Sequence, residues 1–571
     1  MTRSTIVPLI LCLVSLASGA TSAETPPDLL DVMREELDRS MENLVRASEP
    51  PMFYLQYAVT ERRSYEIAVV NGGLRAPDVS HHRYLDVDLR MGSMELDNTH
   101  EIRGGSWREN YAPRRMVDFP LEMDALAMRA ALWNETEYQY RKALERLTKV
   151  LSNRQVMVEE EDLSYDFSPV TSHQFSEPCV PTEWDADHWS GILQRVGRYL
   201  SGFRFVRESN VTFAIQDKTV YMVNNEGSRL EHSNHYLRLM LRTSGMAEDG
   251  MELNRSQHYT AAIIENLPDE TTVMQDAERL VDELRALLDA PIVEPYIGPA
   301  ILRNRASGVF FHEIFGHRIE GHRQKSEREG QTFTKKVGHQ ILPEFISVYD
   351  DATQAQFNGV DLRGYYKFDD EGVPAQRVVV VENGILENFL TTRSPIENFP
   401  KSNGHARRQA GLDVVARQGN LIVQSDRVVP YQELRALLIA ECQRQGKPYG
   451  LIFEDISGGF TMTGRGGPQA FKVIPRLVYR VHADGSPDEV VRGVDIVGTP
   501  LTSFSKVLMA ADDDAVFNGT CGAESGGVPV SAVSPSILVA EIEVEKRRKG
   551  QDRPPILPPP GHDKTPERRI P

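Results

Sequence analysis

Several stretches of the chain repeat apolar residues every three or four positions, which is the period of an amphipathic helix. Leu30, Met33, Leu37 and Leu44 follow this spacing after Pro26-Pro27-Asp28, a helix-starting sequence. The same period predicts further helices over residues 121–153, 192–203, 276–290 and 431–445.

Short or alternating apolar runs between these helices predict β-strands. In the first half they cover residues 53–60, 65–70, 84–89, 211–215, 220–223 and 235–242. From Pro343 onward strands dominate, over residues 345–349, 377–382, 421–423, 451–453, 472–481 and 537–545. The pattern predicts an α+β fold with an N-terminal α/β domain over residues 24–290 and a strand-rich C-terminal domain over residues 291–545. The first domain offers no chemical motif, so we interpret it as a lid or a partner-contacting block.

The two ends of the chain differ in composition from the rest. Arg3 precedes an apolar run from Ile6 to Ala17, which is short for a bilayer span, and small residues follow before Glu24. We predict a signal peptide over residues 1–23, with an N-terminal anchor as the alternative, and therefore an exported protein, periplasmic or secreted. No other stretch of the sequence is long and apolar enough to cross a membrane. Residues 546–571 are charged and then rich in proline, which predicts a disordered tail.

Composition excludes a few classes of function. With 571 residues, 40% hydrophobic and 26% charged, the sequence is typical of a soluble globular protein of two or three domains. Its formal net charge of −18 argues against non-specific binding to nucleic acid or to an anionic membrane surface.

The candidate chemistry lies in the segment from Gly298 to His322, whose dense apolar residues predict a mostly buried helix. Three histidines and two glutamates interrupt it, at His312, Glu313, His317, Glu320 and His322. Ionisable groups are rarely buried without a partner, and a metal ion can hold neutral imidazoles and carboxylates together.

The spacing of these residues leaves the ligand set open. In the zinc-binding pattern His-Glu-x-x-His both histidines share a helix face, but here one residue is added before His317. Either the helix ends or distorts near Gly316, or Glu313, His317 and Glu320 use ideal helical spacing to share one face. A hydrogen-bonded pair of core histidines without metal is the alternative to both.

Several segments together resemble one known family. The run Gly308-Val-Phe-Phe-His312-Glu313-Ile-Phe-Gly316-His317-Arg-Ile-Glu320-Gly321 is similar to the active-site helix of the TldD/PmbA family, the microcin-processing zinc metallopeptidases. Later segments that also resemble the family are Asp350-Asp351, Asp369-Asp370-Glu371-Gly372-Val-Pro374, Val381-Glu382-Asn383-Gly384, Asn403-Gly404-His-Ala-Arg407-Arg408 and Asn518-Gly519-Thr520-Cys521-Gly522. The resemblance covers about residues 290–545 well and implies the two-domain fold of that family, with a buried metal-binding helix between the domains.

The resemblance also implies roles for particular residues. His312, His317 and Cys521 would bind Zn²⁺, and Glu313 would be the general base that activates metal-bound water. Glu320 falls at a family-like position, where we expect it to support a ligand. His405, Arg407 and Arg465 are candidates for stabilising the oxyanion, although their spacing does not prove it.

The same resemblance implies a function and partners. We expect a zinc-dependent peptidase that hydrolyses unfolded or flexible polypeptides, and that forms a homodimer or a heterodimer with a related subunit. Because the well-known members lack a signal peptide, this chain would be an exported variant. The alternatives are a non-catalytic peptide- or partner-binding protein with a structural metal, and a metal-dependent amidase.

Removal of the signal peptide would leave three cysteines, an odd number for an oxidising compartment. A disulfide between Cys179 and Cys442, with Cys521 held by metal, would account for them. Free thiols at each position are the alternative.

Overall fold

The computed structural model describes residues 28–47, 49–110, 115–156, 162–466, 470–499 and 504–547. The predicted signal peptide over residues 1–23 lies outside this range, as does the predicted tail from residue 548 onward. Among the described residues, no helix combines the length and the apolar character that crossing a bilayer requires.

The N-terminal half is one large sheet with helices. Its helices are α1 (Leu29–Leu44), α2 (Trp107–Asn110), α3 (Ala125–Val156), α4 (Ala186–Ser201) and α5 (Glu270–Asp289). Its strands are β1 (Met52–Val70), β2 (Gly73–Leu74), β3 (Asp78–Met91), β4 (Val117–Asp118), β5 (Gln174–Ser176), β6 (Glu208–Asn224), β7 (Arg229–Met246) and β8 (Glu252–Ala261). The strand order is β4-β3-β1-β6-β7-β5, with β2 paired to β1 and β8 paired to β7. All pairs are antiparallel except β5 with β7.

The two faces of this sheet are chemically different, because successive side chains of a strand point to opposite sides. Odd-numbered residues of the long strands, such as Tyr57 and Phe213, belong to apolar clusters with α1, α3, α4 and α5. Even-numbered residues are largely polar and face the C-terminal half, where the Gln56 side chain donates to the Asp370 carbonyl at 2.9 Å. The helices therefore cover one face and the C-terminal domain covers the other.

Some strands are longer than the sequence predicts. Residues 53–60 and 65–70 merge in β1, and residues 211–215 and 220–223 merge in β6. The polar residues between them stay in the strand because both neighbours continue to pair with them; Arg62, for example, is opposite His82 on β3 and Lys218 on β6. The polar residues therefore mark the polar face of the sheet and not the end of a strand.

The C-terminal half is strand-rich, as predicted, and its described residues form two large sheets and two small two-stranded ones. Its helices are α6 (Asn304–Ile314), α7 (His322–Lys325) and α8 (Tyr431–Arg444). Its strands are β9 (Tyr296–Leu302), β10 (Ile346–Asp351), β11 (Gln356–Phe357), β12 (Val360–Asp361), β13 (Arg377–Glu382), β14 (Ile385–Leu386), β15 (Ala406–Arg407), β16 (Val415–Ala416), β17 (Asn420–Ser425), β18 (Val428–Val429), β19 (Tyr449–Thr461), β20 (Phe471–His482), β21 (Glu489–Val491), β22 (Val494–Gly498), β23 (Val507–Ala511), β24 (Ala515–Ala523), β25 (Gly526–Ser534) and β26 (Ile537–Lys546).

One of the two large sheets closes on itself. Strands β9, β19, β20, β22 and β26 pair in that order, and β26 pairs with β9 to complete a barrel. The other large sheet has the order β14-β13-β10-β17-β25-β24, so β24 is an edge strand. Helix α6 lies between the two, in contact with β19 of the barrel and with β17, β24 and β25 of the sheet. The predicted α+β class is confirmed.

The prediction of one buried helix over Gly298–His322 is wrong in its first part. Residues Tyr296–Leu302 form strand β9, which pairs in parallel with β19 and antiparallel with β26. A strand enclosed between two others is apolar throughout, and such a run cannot be told from a buried helix by periodicity. The helix proper begins at Asn304 and ends at Ile314.

Candidate functional site

The end of α6 shows how His312 and His317, five residues apart, come together. The helix stops at Ile314, and a 3₁₀ turn over Gly316–Arg318 follows. A Cβ atom at Gly316 would overlap the side-chain amide of the buried Gln418, so only glycine fits there. The turn places the rings of His312 and His317 with their centroids 5.3 Å apart.

Cys521 joins the two histidines from a distant part of the chain. It lies on edge strand β24, which packs against α6. Its Sγ is 3.4 Å from His317 Nε2, and one ligand atom from each of the three residues lies within 4.8 Å of the others. All three side chains are buried.

These residues fit a zinc ion. Around a tetrahedral zinc ion, bonds of ~2.0 Å to nitrogen and ~2.3 Å to sulfur place the two ligand atoms about 3.5 Å apart, close to the 3.4 Å between His317 Nε2 and Cys521 Sγ. His312 Nδ1 is buried and has no hydrogen-bond partner among the described residues. Two imidazoles and a thiol are ligands that zinc prefers.

A buried carboxylate orients His317. Glu320 Oε2 lies 3.2 Å from His317 Nδ1, which leaves the other ring nitrogen toward Cys521. Arg323 Nε donates to the same oxygen at 2.9 Å, and Arg417 Nε lies 3.3 Å from Glu320 Oε1. A carboxylate behind a histidine ligand fixes its tautomer and makes it a better donor.

The alternative ligand set with Glu313, His317 and Glu320 on one helix face is not formed. The helix ends before His317, and Glu320 points to the far nitrogen of that ring. His322 is engaged elsewhere, since its Nε2 contacts the Glu524 carboxylate. Among the described residues the cluster therefore has three protein ligands, which leaves a coordination position for water or substrate.

Burial and charge act in opposite directions on this cluster. Burial alone would raise the pKa of Cys521, but the adjacent His317 and His312 lower it well below its ordinary value. Burial likewise opposes the ionised form of Glu320, yet His317, Arg323 and Arg417 lower its pKa to about 2. The cluster thus provides the thiolate that a metal ion requires.

Glu313 lies in a cavity of about 590 Å³ together with His312, His317 and Cys521. It is half-buried, and among the described residues no hydrogen bond or ion pair engages its carboxylate. Gly459 on β19 allows this position, because a Cβ there would lie 3.1 Å from Glu313 Cγ and 2.7 Å from the Lys472 carbonyl. A molecule in the cavity can therefore reach the Glu313 carboxylate.

The candidates for oxyanion stabilisation lie outside this cavity. His405 is fully buried and contacts Asp350, 3.2 Å away. Arg407 donates to the Gln418 carbonyl, and Arg465 contacts Gln331 near the surface. None of the three lines the cavity that holds Glu313, so none is placed to stabilise an oxyanion there.

The sequence interpretation also missed the contribution of the N-terminal sheet. Tyr236 and Arg238 on β7, and His258 and Thr260 on β8, line the same cavity. They lie on the polar face of that sheet, whose even-numbered positions look onto α6 and β24. The sequence signal for this face was the alternation of polar residues along β7, and that alternation does not show which part of the chain packs against the face.

The two remaining cysteines are free thiols. Cys442 is a buried residue of α8, and a Cβ at Gly450 would lie 2.9 Å from its sulfur. Cys179 is half-buried beside Thr219, and burial raises its pKa. The Cys179–Cys442 disulfide is therefore wrong, and the free-thiol alternative holds.

Residues 296–546 match the family model for the PmbA/TldA metallopeptidase C-terminal domain. The chain is 29% identical over 269 residues to a metalloprotease of Archaeoglobus fulgidus, covering 47% of this chain and 57% of the relative. It is 24% identical over 270 residues to a zinc metalloprotease TldD homolog of Saccharolobus solfataricus, covering 47% of this chain and 55% of the relative. The chain thus spans little more than half the length of these relatives.

The fold is also similar to a solved structure. TldE of Thermococcus kodakarensis superposes with a TM-score of 0.56, at 15% identity, over 89% of this chain and all of that one. At this identity the similarity concerns the fold alone, and it extends through the N-terminal domain that the family model does not cover.

Proposed function

Because the chain belongs to the TldD/PmbA family of metallopeptidases, we propose that it is a zinc-dependent peptidase acting on unfolded or flexible polypeptides. The observation that carries the proposal is the convergence of His312, His317 and Cys521 beside the unengaged carboxylate of Glu313 in one cavity. A protein with a closed structural metal site would need neither the open position nor the free carboxylate.

His312, His317 and Cys521 would hold the metal, while other side chains would move protons and orient the ligands. A zinc ion there would supply a Lewis acid and lower the pKa of a water molecule that it holds. Glu313 would accept a proton from the attacking water and return it to the leaving amine. Glu320 would keep His317 in the tautomer that presents Nε2 to the ion.

The cavity suits an extended substrate. Residues 517–524, mostly on edge strand β24, line one side and residues 455–461 of β19 line another. Among the described residues no strand pairs with the outer edge of β24. A peptide added along this edge would be recognised mainly through its backbone, which predicts broad side-chain tolerance and requires an unfolded substrate.

Two further parts of the proposal concern the setting of the enzyme. We propose that it acts with a second, related subunit or as a homodimer, which native mass measurement would test. We also propose export to the periplasm or the exterior on the basis of residues 1–23. Detection of a mature N-terminus near Glu24 in the exported fraction would support this, and an uncleaved cytoplasmic chain would contradict it.

Metal content is the first test. Elemental analysis of the purified full chain should find about one zinc per chain. Cys521→Ala should lose it, whereas the control Cys179→Ala, which alters a thiol outside the cavity, should retain it. Retention of the metal without Cys521 would contradict the ligand set. No metal, even after zinc is supplied, would contradict the proposed function.

Activity is the second test. The zinc-loaded protein should cleave casein, which has no stable fold, and leave native lysozyme intact. If the protein binds zinc but cleaves neither unfolded protein, folded protein nor small amides, the non-catalytic peptide-binding alternative is favoured. Cleavage of small amides alone would favour an amidase.

A further inference from the structure

One part of the catalytic cavity is built from three arginines. Arg238 comes from β7 of the N-terminal sheet, Arg305 from the first turn of α6, and Arg476 from β20 of the barrel. They surround His258: Arg238 Nη2 is 3.2 Å from His258 Nδ1, and Arg476 donates to Ser256, whose Oγ is 3.3 Å from His258 Nε2. Each arginine is half-buried.

Among the described residues, no salt bridge pairs any of these three arginines with an acid. The carboxylate in this part of the cavity is that of Asp455, and it already accepts from Arg255 at 2.5 Å. Arg305 forms no side-chain ion pair or hydrogen bond with the described residues, and its Nε is buried without a partner. Half-buried like charges repel one another, so this arrangement is unfavourable unless an anion completes it.

His258 reports the same excess of positive charge. Burial first, and then Arg238, Arg476 and Arg305, lower its pKa to about 3. The imidazole is therefore neutral near pH 7 and adds no charge of its own. The three guanidinium groups remain, in a chain whose overall net charge is −18.

We propose that Arg238, Arg305 and Arg476 form a subsite for a carboxylate of the substrate. Arginine is suited to this ligand because its planar donors match the two carboxylate oxygens. The inference rests on the proposed function, and it names the substrate class as peptides that carry an acidic group at a fixed distance from the cleaved bond.

Helix geometry sets that distance. Arg305 and Glu313 are eight residues apart on α6, which is about 12 Å along the axis at 1.5 Å per residue. An extended peptide advances about 3.3 Å per residue, so the carboxylate lies about three or four residues from the cleaved bond. An Asp or Glu side chain and a free C-terminal carboxylate offer the same chemistry there.

The test measures binding and does not depend on turnover. Fluorescein-labelled decapeptides of Ser and Gly carry one Glu or one Gln at successive positions, and a second set carries a free or amidated C-terminus. Their Kd values are measured by anisotropy against the full-length Glu313→Ala protein. We expect one register, or the free C-terminus, to bind about tenfold tighter than its neutral counterpart, as a charged hydrogen-bonded pair allows.

Matched variants assign the preference to the cluster. In the same background Arg305→Gln and Arg476→Gln should each reduce the preference to less than about threefold. The control Arg198→Gln, an exposed arginine on α4, should leave it unchanged. The peptide set in which the preference occurs identifies the source, side chain or C-terminus.

The inference is overturned if Glu and Gln peptides bind equally in every register and the free and amidated termini bind equally. It is also overturned if both arginine variants fold and retain the full preference. The outcome for the proposed function is separate: no hydrolysis by the wild-type protein, with the acidic preference intact, would contradict the peptidase and leave the carboxylate subsite standing.

Discussion

Charged side chains are paired in one region of the cavity and unpaired in another. Around the candidate metal ligands the charged groups are paired: Glu320 lies between Arg323 and Arg417, and Glu524 contacts both Arg323 and His322. At the start of α6 three arginines meet around a neutral histidine, with one acid that is already occupied.

The difference indicates different tasks. A paired network in a buried site holds side chains in one geometry, which catalysis requires before substrate arrives. An unpaired cluster leaves its electrostatic potential available to a ligand. The first region comes entirely from the C-terminal domain, whereas the second also requires the N-terminal sheet. Contact between the two halves thus builds the proposed carboxylate subsite and not the candidate metal site.

The largest effect should come from Glu313. Glu313→Gln removes the proposed general base and should lower kcat about 10²- to 10⁴-fold, since positioned acid–base groups contribute this much. Because Glu313 is not one of the three metal-ligand residues, zinc content should remain unchanged. Steady-state hydrolysis of casein and elemental analysis of the same sample measure both. Normal turnover in this variant would exclude Glu313 as the base.

Glu320 should act through the metal. Glu320→Gln retains the shape but loses the charge behind His317, and should weaken zinc binding about 10- to 100-fold. Competition with a zinc chelator measures the affinity. The control Glu524→Gln disturbs the same Arg323 without touching His317, and should have a smaller effect. Equal losses in the two variants would mean that the charge network, and not the orientation of His317, sets the affinity.

The sequence indicated the candidate ligand residues but not the residues that surround them. The three ligand residues that it indicated converge in the structure, although Cys521 was found only through family resemblance and not through spacing. Arg417, which donates to the Cys521 carbonyl at 2.8 Å, carried no signal at all. Its partners lie about a hundred residues away along the chain, and pairing across that distance has no periodicity.

For the fold, too, some elements were predicted from the sequence and others were not. The helix predicted over residues 431–445 matches α8, and the helix predicted over residues 276–290 matches α5 apart from the first six residues of α5. The apolar run of β9 was assigned to a helix because a strand buried between two others shows no alternation. The cover that the C-terminal domain forms over the polar face of the N-terminal sheet was not predicted, since a sequence does not show which domain a polar face will meet.

Gly316 tests how tightly the metal end is packed. Gly316→Ala would push a methyl group into Gln418 and should lower the free energy of unfolding by about 1–3 kcal/mol. Urea denaturation measures this. The double variant Gly316→Ala/Gln418→Ala removes the obstructing amide, so it should be less destabilised than the sum of the two single variants. Strict additivity would show that the two residues are not in contact.

The smallest effect concerns His258 at the arginine end. Its pKa of about 3 in the folded chain lies below the ordinary unfolded value of about 6.5. Between these values the unfolded chain binds more protons, so stability contributed by the neutral histidine is lost as the pH falls. His258→Gln should therefore flatten the dependence of unfolding free energy on pH between 7 and 5. The exposed His82→Gln is the control, measured at the same zinc concentration.

The same histidine can report directly on the arginines. Removal of one neighbouring cation lessens the repulsion that disfavours imidazolium, so Arg305→Gln should raise the pKa of His258 toward its ordinary value. NMR titration of ¹³C-labelled histidine rings measures this, with the His258→Gln spectrum as the assignment. An unchanged pKa would mean that Arg305 does not contribute to the low pKa of His258. The cluster would then be electrostatically weaker than its geometry indicates, and the contrast between the two regions of the cavity would diminish.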